Sequence, residues 1–280
     1  MNSPFDPPPN IDCPQCHGEG YFCVANGEVA RAERCPCVPT CSRCSGLGYR
    51  TIFESGEYRS GRCRCQKLPD RIQLFNRCSI PARHGDDSFR NFQHRNKNAT
   101  IALSNISSWI QRYGSQEEER GLILHGEVGR GKTHLLIGIC KLLMFEYGKS
   151  VRFVEFSRLL GMLREGYSKG QSDSRVLEPL IEVDVLAIDE LGKGRLTDWE
   201  MQVIDEIVSR RYNSMKSVIG TTNYPWRTAS GAPPSNLAIS AFDQTLADRI
   251  GIRAFSRLQE MCYCYELTGN DFRSIRRQRL

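Results

Sequence analysis

GLILHGEVGRGKTHLLIGICKLLMFEYG, residues 121–148, carries the strongest signal in this chain of 280 residues. Gly126, Gly131, Lys132 and Thr133 match the fixed positions of the spacing GxxxxGK[ST]. A short apolar run precedes the motif, and apolar residues at helical spacing follow it. The pattern predicts a strand, a glycine-rich loop and a helix, in which backbone N–H groups converge on phosphate at the helix N-terminus.

The parts of this loop have separate expected roles. Lys132 would reach the β- and γ-phosphates of ATP, and Thr133 would place its hydroxyl on Mg²⁺. A plain glycine turn is the competing interpretation, but the flanking strand and helix favour a phosphate loop. We therefore predict ATP and Mg²⁺ as cofactors, with a binding loop formed by Gly126, Glu127, Val128, Gly129, Arg130, Gly131, Lys132, Thr133 and His134.

An acidic strand end follows at VDVLAIDELG, residues 183–192. Its apolar run predicts a buried parallel strand, and Asp189 would fall at the carboxyl end, where open α/β sheets hold ligands. We expect Asp189 to join Thr133 in the Mg²⁺ shell and Glu190 to polarise the attacking water. Taken alone, an acidic pair after an apolar run is often only a solvated strand end.

Two further segments supply weaker catalytic candidates. The strand SVIGTTN, residues 217–223, ends in Asn223, which would position the water or act as a turn residue. Downstream, ADRIGIRAFSRLQEM spaces Arg249, Arg253 and Arg257 four residues apart, so they would share one helical face. Arg249 or Arg253 would serve as an arginine finger for a neighbouring subunit, unless the run is a solvated basic stripe.

A cysteine-rich head precedes these motifs, because ten of the thirteen cysteines fall within residues 13–78. The segment CPQCHGEGY recurs 28 positions later as CSRCSGLGY, and CPC recurs with the same shift as CRC. Each copy therefore offers one CxxC pair and one CxC pair. The two quartets are Cys13, Cys16, Cys35 and Cys37, and Cys41, Cys44, Cys63 and Cys65.

Paired cysteines on tight turns, brought together by a hairpin, build a tetrahedral thiolate cage for Zn²⁺. We predict two Zn²⁺ ions, with positive φ at the glycines after each CxxC, such as Gly18 and Gly46. The sequence leaves open whether each quartet closes locally or exchanges halves with its copy. A disulfide framework is the alternative, but nothing in the sequence indicates export. Cys23, Cys78 and Cys140 lie outside the repeat. We interpret Cys23 and Cys78 as packing residues or as cysteines without a role, and Cys140, in an apolar helix, as a core residue.

The overall charge limits the choice of partner. A net charge of +6 permits nucleic acid without demanding it. Residues 13–65 carry seven arginines and five glutamates, and two zinc–tetrathiolate sites would add about −4, so the metal-bound head would be slightly acidic. This balance favours a protein partner for the head over DNA. No apolar run approaches the roughly 18 residues that span a bilayer, and MNSPFDPPPN lacks a secretory signal, so we expect no membrane contact and a cytoplasmic location.

Five segments, taken in order, are similar to the AAA+ ATPases of the DnaC/DnaI type, the bacterial replicative-helicase loaders. They are GEVGRGKTHL, LAIDELG, IGTTNYP, DRIGIRAFSRL and GNDFRS. IPARHGDDSFRNF, residues 80–92, is similar to the segment that leads into the loaders' ATPase core. The resemblance covers residues 78–280 and implies an α/β fold with a five-stranded parallel αβα core. Arg273, in GNDFRSIR, would contact the nucleotide or belong to a basic tail.

The resemblance also implies ATP-driven self-association with arginines acting in trans, contact with single-stranded DNA, and an N-terminal domain that grips the helicase. Related loaders place a DNA-facing helix between the second strand and the metal-binding strand. In this chain that insertion carries Arg158, Arg164, Tyr167, Lys169 and Arg175, although a plain surface helix and loop is equally compatible with the sequence. The CxxCxGxG repeat also resembles DnaJ-type chaperones over residues 13–65, from which we take zinc binding alone.

The prediction is therefore an ATP-hydrolysing helicase loader with a zinc-bearing head. We divide the chain into a disordered N-terminus at 1–12, a tandem zinc module at 13–66, a linker at 67–98 and an AAA+ ATPase domain at 99–280. Two alternatives stay open. One is an IstB-type transposition helper ATPase, which shares the core motifs, and the other is a zinc-containing adaptor whose nucleotide site is a slow switch.

Overall fold

A computed structural model describes residues 4–54, 56–92, 97–169, 174–195, 197–227 and 244–268. The chain divides into two compact units. The first unit comprises Met1–Asp86 with Met144–Gly148, and the second comprises Asp87–Leu143 with Lys149–Leu280. The segment that we predicted as a linker is therefore divided between the two units.

The first unit is built on two β-hairpins with strands of equal length. Strands β1 (Tyr21–Asn26) and β2 (Val29–Arg34) pair antiparallel, and β3 (Tyr49–Glu54) and β4 (Glu57–Arg62) repeat this pairing. Each hairpin follows a CxxC turn with two glycines of positive φ, as expected, at 82° and 80° in the first copy and 84° and 80° in the second. The duplicated sequence therefore folds as a duplicated structure.

A packed helix, α1 (Lys67–Cys78), follows the second hairpin. Short 3-10 turns, Arg64–Gln66 and Ala82–His84, lie on either side of it. Phe75 and Cys78 on its apolar face are fully buried, which confirms the packing role expected for Cys78. The predicted linker thus begins as part of a folded core, because its apolar residues recur at helical spacing.

The second unit is an αβα structure around one sheet. Its elements in chain order are α2 (Lys97–Gly114), β5 (Gly121–His125), α3 (Lys132–Leu142), β6 (Val151–Glu155), α4 (Phe156–Ser168), α5 (Ser174–Glu182), β7 (Val185–Asp189), α6 (Asp198–Asn213), β8 (Ser217–Thr222), α7 (Leu246–Ile250), α8 (Ile252–Met261) and β9 (Cys262–Glu266). A π-helical turn, Leu143–Tyr147, follows α3, and its residues from Met144 on belong to the first unit. None of the helices in the described part of the chain is long and apolar enough to cross a membrane.

The sheet has the order β6-β7-β8-β5-β9, and every neighbouring pair of strands is parallel. The predicted α/β fold with a five-stranded parallel core is therefore confirmed. Every residue of β7 and β8 is buried, as expected for strands covered by helices on both faces. Cys140 of α3 is fully buried, so its expected place in the core is confirmed. Because the strands are parallel, the carboxyl ends of β5, β7 and β8 meet at one edge.

A buried arginine fixes the end of α5 to the sheet. Arg211 of α6 is fully buried, and its guanidinium donates hydrogen bonds of 2.6–3.2 Å to the carbonyl oxygens of Leu180, Ile181, Val183, Asp184 and Ser217. The last carbonyls of a helix lack partners within the helix, so a cation there satisfies them and complements the helix dipole. Burial lowers the pKa of Arg211 to about 10, and the group therefore stays charged at neutral pH.

Replacing Arg211 with methionine is expected to lower the free energy of unfolding by about 3 kcal/mol, because buried acceptors lose a charged donor. Urea unfolding followed by circular dichroism measures the change. Arg210→Met is the matched control, since Arg210 pairs with Glu178 at the surface, where ion pairs contribute little. Equal losses in the two variants would contradict the role given to Arg211.

Candidate nucleotide site and metal centres

The glycine-rich loop runs from the end of β5 to the start of α3. Gly126 and Gly131 have φ of 142° and 79°, and Gly131 caps α3. A Cβ atom at Gly126 would clash with the carbonyl oxygen of Leu267, and one at Gly131 would lie 2.6 Å from the ring of Phe92. Residues 127–130 form the turn between these glycines. Glycine is therefore required at both ends of the loop by backbone conformation and by space.

Lys132 folds back over the loop. Its ammonium donates hydrogen bonds of 2.7 Å to the carbonyl oxygens of Gly126 and Glu127, and the residue is buried. Arg130 and Glu127 form an ion pair at the loop surface. Burial lowers the pKa of His125, the last residue of β5; the nearby Glu266 charge opposes this shift and the Lys132 charge adds to it, and the net direction is downward. The positive charge at this strand end is thus carried by Lys132 and not by the imidazole.

Three oxygen-bearing side chains meet at the shared edge of the sheet. The Thr133 hydroxyl lies 3.0 and 3.1 Å from the two carboxylate oxygens of Asp189, and the Thr221 hydroxyl donates to Asp189 Oδ1 at 2.6 Å. Asp189 is only 5% exposed. Hydroxyl and carboxylate oxygens are the ligands that Mg²⁺ prefers, so this group could hold the ion next to the loop.

Glu190 occupies an unusual backbone position. Its φ is 55°, in the left-handed region, and its N–H donates to the Thr221 hydroxyl at 2.9 Å. The Lys193 ammonium lies 2.5 Å from Glu190 Oε2. This hydrogen bond raises the pKa of Lys193. The Glu190 carboxylate therefore lies toward the loop that follows β7, where its ion pair with the Lys193 ammonium restrains it.

The continuous helix that we expected across the downstream arginines is wrong. Gly251, with φ of 83° and ψ of 146°, ends α7 and precedes α8, so Arg249 does not share a helical face with Arg253 and Arg257. Residue 251 can adopt this conformation at low cost because it is glycine. Arg257 pairs with Asp205 at 2.8 Å, whereas Arg253 is exposed in the first turn of α8.

Arg249 is bound within its own chain. Its guanidinium donates hydrogen bonds to the carbonyl oxygens of Gly192 and Gly194, and it lies 5.0 Å from the ring centroid of Tyr224. These contacts hold the loop that contains Lys193. Of the two candidate fingers, Arg253 is therefore the one whose side chain faces solvent.

His134 faces away from the glycine-rich loop's interior, although we predicted it with that loop. Its Nε2 lies 2.9 Å from the carbonyl oxygen of Ser88 and 2.8 Å from Asn91 Oδ1, and Nδ1 lies 3.4 Å from an Asp87 oxygen. The Phe92 ring packs edge-on against the imidazole at 5.4 Å. His134 thus ties residues 87–92 to α3.

Other predicted residues are spread around this edge. Asn223 follows β8 directly and is exposed, and Arg158 is exposed on α4. The side chains of Tyr167 and Arg175, and the whole of Arg273, lie outside the described residues.

Two cations of the predicted DNA-facing insertion are already paired with carboxylates. Arg164 on α4 lies 2.6 Å from a Glu200 oxygen, and its guanidinium stacks 4.8 Å from the ring of Trp199. Lys169 lies 2.5 Å from Glu165. Less positive charge is therefore available on this helix than the sequence indicated.

Sequence reasoning missed four residues around the nucleotide site: Thr221, Lys193, Tyr224 and Phe92. Thr221 carried a usable signal, because it is the second-last residue of a buried strand and lies two positions before Asn223. Lys193 is three residues after Glu190, a spacing that brings side chains together only when the intervening turn is known. The contacts of Tyr224 and Phe92 depend on chain segments that are distant in sequence.

Each cysteine quartet closes locally. The sulfur atoms of Cys13, Cys16, Cys35 and Cys37, and those of Cys41, Cys44, Cys63 and Cys65, form two separate clusters in which the ligand atoms lie within 4.8 Å of one another. The shortest Sγ–Sγ distances are 3.4–3.7 Å. Disulfide bonds would require about 2.05 Å. A tetrahedral site with Zn–S bonds of about 2.3 Å has sulfur atoms about 3.8 Å apart, so the donor set fits a Zn²⁺ ion.

The protein environment already favours thiolates at two of these positions. Hydrogen bonding from backbone N–H groups, chiefly that of Cys16, lowers the pKa of Cys13 to about 7, and the N–H of Gly48 does the same for Cys44. Burial raises the pKa of Cys35 and of Cys65 to about 12. Because metal ligands must be deprotonated, a bound cation would be needed to keep the latter two as thiolates at neutral pH.

Comparisons with known proteins agree with this geometry. A family model described as IstB-like ATP binding protein matches residues 91–279. The uncharacterised protein YdaV of Escherichia coli is 34% identical over 151 residues, which make up 54% of this chain and 60% of YdaV. The replicative helicase loader DnaC of Escherichia coli is 30% identical over 152 residues, or 54% of this chain and 61% of DnaC. The chain thus spans about three fifths of the length of these curated relatives.

Solved structures show the same relationship. The crystal structure of the DnaC helicase loader superposes with a TM-score of 0.53 at 30% identity, covering 66% of this chain and 99% of that chain. A putative primosome component from Streptococcus pyogenes serotype M3 superposes with a TM-score of 0.51 over 69% of this chain and 92% of its own, and its 22% identity shows a shared fold alone. The resemblance found in the sequence motifs is confirmed.

Zinc content tests the two metal centres separately. The purified chain is expected to hold about two Zn²⁺ ions, and Cys16→Ser is expected to reduce this to about one, because only the first quartet loses a ligand. Elemental analysis by inductively coupled plasma mass spectrometry gives the count. Cys23→Ser is the control, since Cys23 lies outside both quartets, and it should keep both ions. Loss of both ions from Cys16→Ser would contradict local closure.

Proposed function

Because the chain belongs to the family of IstB-like ATP-binding proteins and is homologous to the replicative helicase loader DnaC, we propose that it binds and hydrolyses ATP with Mg²⁺ and loads a helicase during DNA replication. The observation that supports this most directly is the meeting of Thr133 and Asp189 beside the glycine-rich loop, at the carboxyl edge of a parallel sheet. A cytoplasmic site of action is part of this proposal.

Each residue of the proposed ATPase site has a physical role. Lys132 exchanges its carbonyl partners for phosphate oxygens, and the loop N–H groups bind the same anion. Bound Mg²⁺ would neutralise phosphate charge, and Thr133 and Asp189 would hold it. Thr221 orients Asp189 through its hydroxyl. Glu190 accepts the proton of the attacking water, and this requires its carboxylate to leave Lys193.

The remaining candidates complete the site in the proposal. Asn223, exposed at the end of β8, positions the water beside Glu190. Arg253, exposed on α8, enters the site of a neighbouring copy as the arginine finger, so hydrolysis depends on self-association. Arg273 contacts the nucleotide from the C-terminal segment.

We assign partner recruitment to the cysteine-rich head and contact with single-stranded DNA to the ATPase unit. The head carries two metal-stapled hairpins, which would present a rigid surface to the replicative helicase. Arg158, exposed on α4, would face DNA. The homologous DnaC is named a replicative helicase loader, and that name supports a helicase as the partner.

An IstB-type transposition helper is the second candidate, because the matching family model carries that description. A nucleotide-switched adaptor is a third. Pulldown with the purified full-length chain, using replicative helicase in one arm and transposase in the other, separates the first two. ATP turnover measured with and without single-stranded DNA separates both from the adaptor, for which we expect slow turnover that DNA does not stimulate.

Glu190→Gln is expected to retain ATP binding and to lose turnover by at least about 100-fold, because the amide cannot accept the proton from water. Fluorescent-nucleotide binding and phosphate release measure the two properties. Glu206→Gln, an exposed glutamate on α6, is the matched control and should leave both properties unchanged. Normal turnover by Glu190→Gln would refute the role of Glu190 as the base.

Lys193→Met is expected to raise basal turnover about two- to fivefold, because an exposed ion pair that restrains Glu190 is removed. The same phosphate-release assay, without DNA, measures the effect. Lys169→Met removes an exposed lysine that pairs with Glu165 and serves as the control. A fall in turnover for Lys193→Met would show that Lys193 supports catalysis and does not restrain it.

A further inference from the structure

The two zinc hairpins carry equivalent faces that differ in what covers them. Alternate residues of paired strands point to one side of a hairpin. In the first copy this side includes Tyr21, Ala30 and Ala32, all of which are buried. Asn76 of α1 bonds the N–H and carbonyl of Ala32 at 2.8 and 3.2 Å, so the helix closes over this hairpin. The first copy is therefore part of the packed core.

The same side of the second hairpin is open to solvent and enlarged by aromatic rings. Tyr49, Phe53 and Tyr58 are 58%, 63% and 79% exposed. Phe53 and Tyr58 are cross-strand partners with ring centroids 4.9 Å apart, while Tyr49 lies four residues before Phe53 on the same side. Tyr58 stands where the first copy has Ala30. Phe53 stands where the first copy has the exposed Ala25, so one small packing residue and one small exposed residue correspond to exposed rings in the second copy.

The charge of the two copies also differs. Residues 13–40 carry two arginines and three glutamates, whereas residues 41–66 carry five arginines and two glutamates. Two zinc thiolate sites would subtract equal charge from each copy, so the difference remains. The net charge inferred for the whole metal-bound head is slightly acidic, but this charge is not shared equally. The second copy, which has the aromatic face, is the more basic of the two.

We propose that the aromatic face of the second zinc hairpin, Tyr49, Phe53 and Tyr58, binds single-stranded nucleic acid by stacking bases on its rings. Exposed rings on a sheet surface are the means by which nucleic-acid-binding sheets stack two or three bases. Stacking needs only the π-face that every base has, so the surface is tolerant of sequence. The surplus of arginines supplies the attraction for the phosphate backbone.

The arginines around the face are accessible to phosphate. Arg64, which follows β4, is exposed and forms no ion pair among the residues that the structure describes, whereas Arg50 lies on the opposite side of the hairpin. Arg62, on the same side as the rings, pairs with Asp70 at 2.5 Å, and the two side chains are 56% and 35% exposed. A partly exposed pair of this kind contributes little, so a phosphate group can displace the carboxylate. Thr51, opposite Ser60, adds hydroxyl donors between the rings.

A protein partner would also use tyrosine and arginine, yet two features favour nucleic acid. On the side of the two strands that carries the rings, the residues between them are Thr51 and Ser60, both of which carry hydroxyl groups. The basic surplus is specific to this copy, and it matches a partner that is anionic along its whole length. The inference rests on the proposed function for the presence of single-stranded DNA. It extends that function by giving the cysteine-rich head its own contact with the DNA strand.

Fluorescence anisotropy with labelled oligo-dT tests the stacking surface, using the full-length chain without nucleotide. Phe53→Leu and Tyr58→Ala are each expected to weaken binding about tenfold, while Phe53→Tyr should bind normally because it keeps a ring. Met215→Ala, which removes an 82% exposed side chain from the second unit, is the control. Zinc content and ATP affinity should be unchanged in every variant, which separates this inference from the proposed ATPase function.

Photo-cross-linking with 4-thiothymidine in the same oligonucleotide gives a second, independent readout. We expect cross-linked peptides from residues 49–62, and we expect them equally in Glu190→Gln, which is designed to lack turnover. Cross-links confined to the second unit, or unchanged affinity in both Phe53→Leu and Tyr58→Ala, would overturn the inference. Loss of helicase capture without loss of oligo-dT binding in these variants would also overturn it and identify the face as a protein-docking surface.

Discussion

Parallel pairing of β5, β7 and β8 is the constraint on which the rest of the second unit depends. It brings the glycine-rich loop, Asp189 and Thr221 to one edge, where two hydroxyls bond a carboxylate that is almost inaccessible to water. A buried carboxylate is costly unless its oxygens are hydrogen-bonded or bind a cation. The carboxylate of Asp189 is therefore held in place by hydrogen bonds, and its buried negative charge favours the binding of a cation. Lys132 and a divalent ion would supply this positive charge.

A second layer of contacts surrounds this edge and links it to the helices that follow β8. Arg249 holds the carbonyl oxygens of Gly192 and Gly194, and Lys193 between them pairs with Glu190. A movement of α7 would therefore reach the Glu190 carboxylate through one short loop. Under the proposed function, this connection would let a neighbouring copy that contacts α8, where Arg253 is exposed, change the rate of hydrolysis.

The cysteine-rich unit contains two copies of one hairpin whose equivalent faces differ in burial. Both copies have the same CxxC and CxC turns and the same strand register, so a metal ion bound by each quartet could stabilise each hairpin without a large hydrophobic core. The first copy uses its face to pack against α1. Because the first copy supplies the packed core, the equivalent face of the second hairpin does not have to be buried. That face can therefore carry large exposed rings.

The sequence by itself determined the α/β class, the loop, the strand that ends in Asp189 and the two cysteine quartets, because each depends on residues close together in the chain. Only the tertiary structure decided that the quartets close locally, that Gly251 separates Arg249 from Arg253, and that His134 binds residues 87–92. These outcomes depend on contacts between distant segments and on the conformation of single glycines. Local sequence patterns reduce the number of possible arrangements but do not determine which one forms. The free energy that selects one arrangement comes from packing the whole chain.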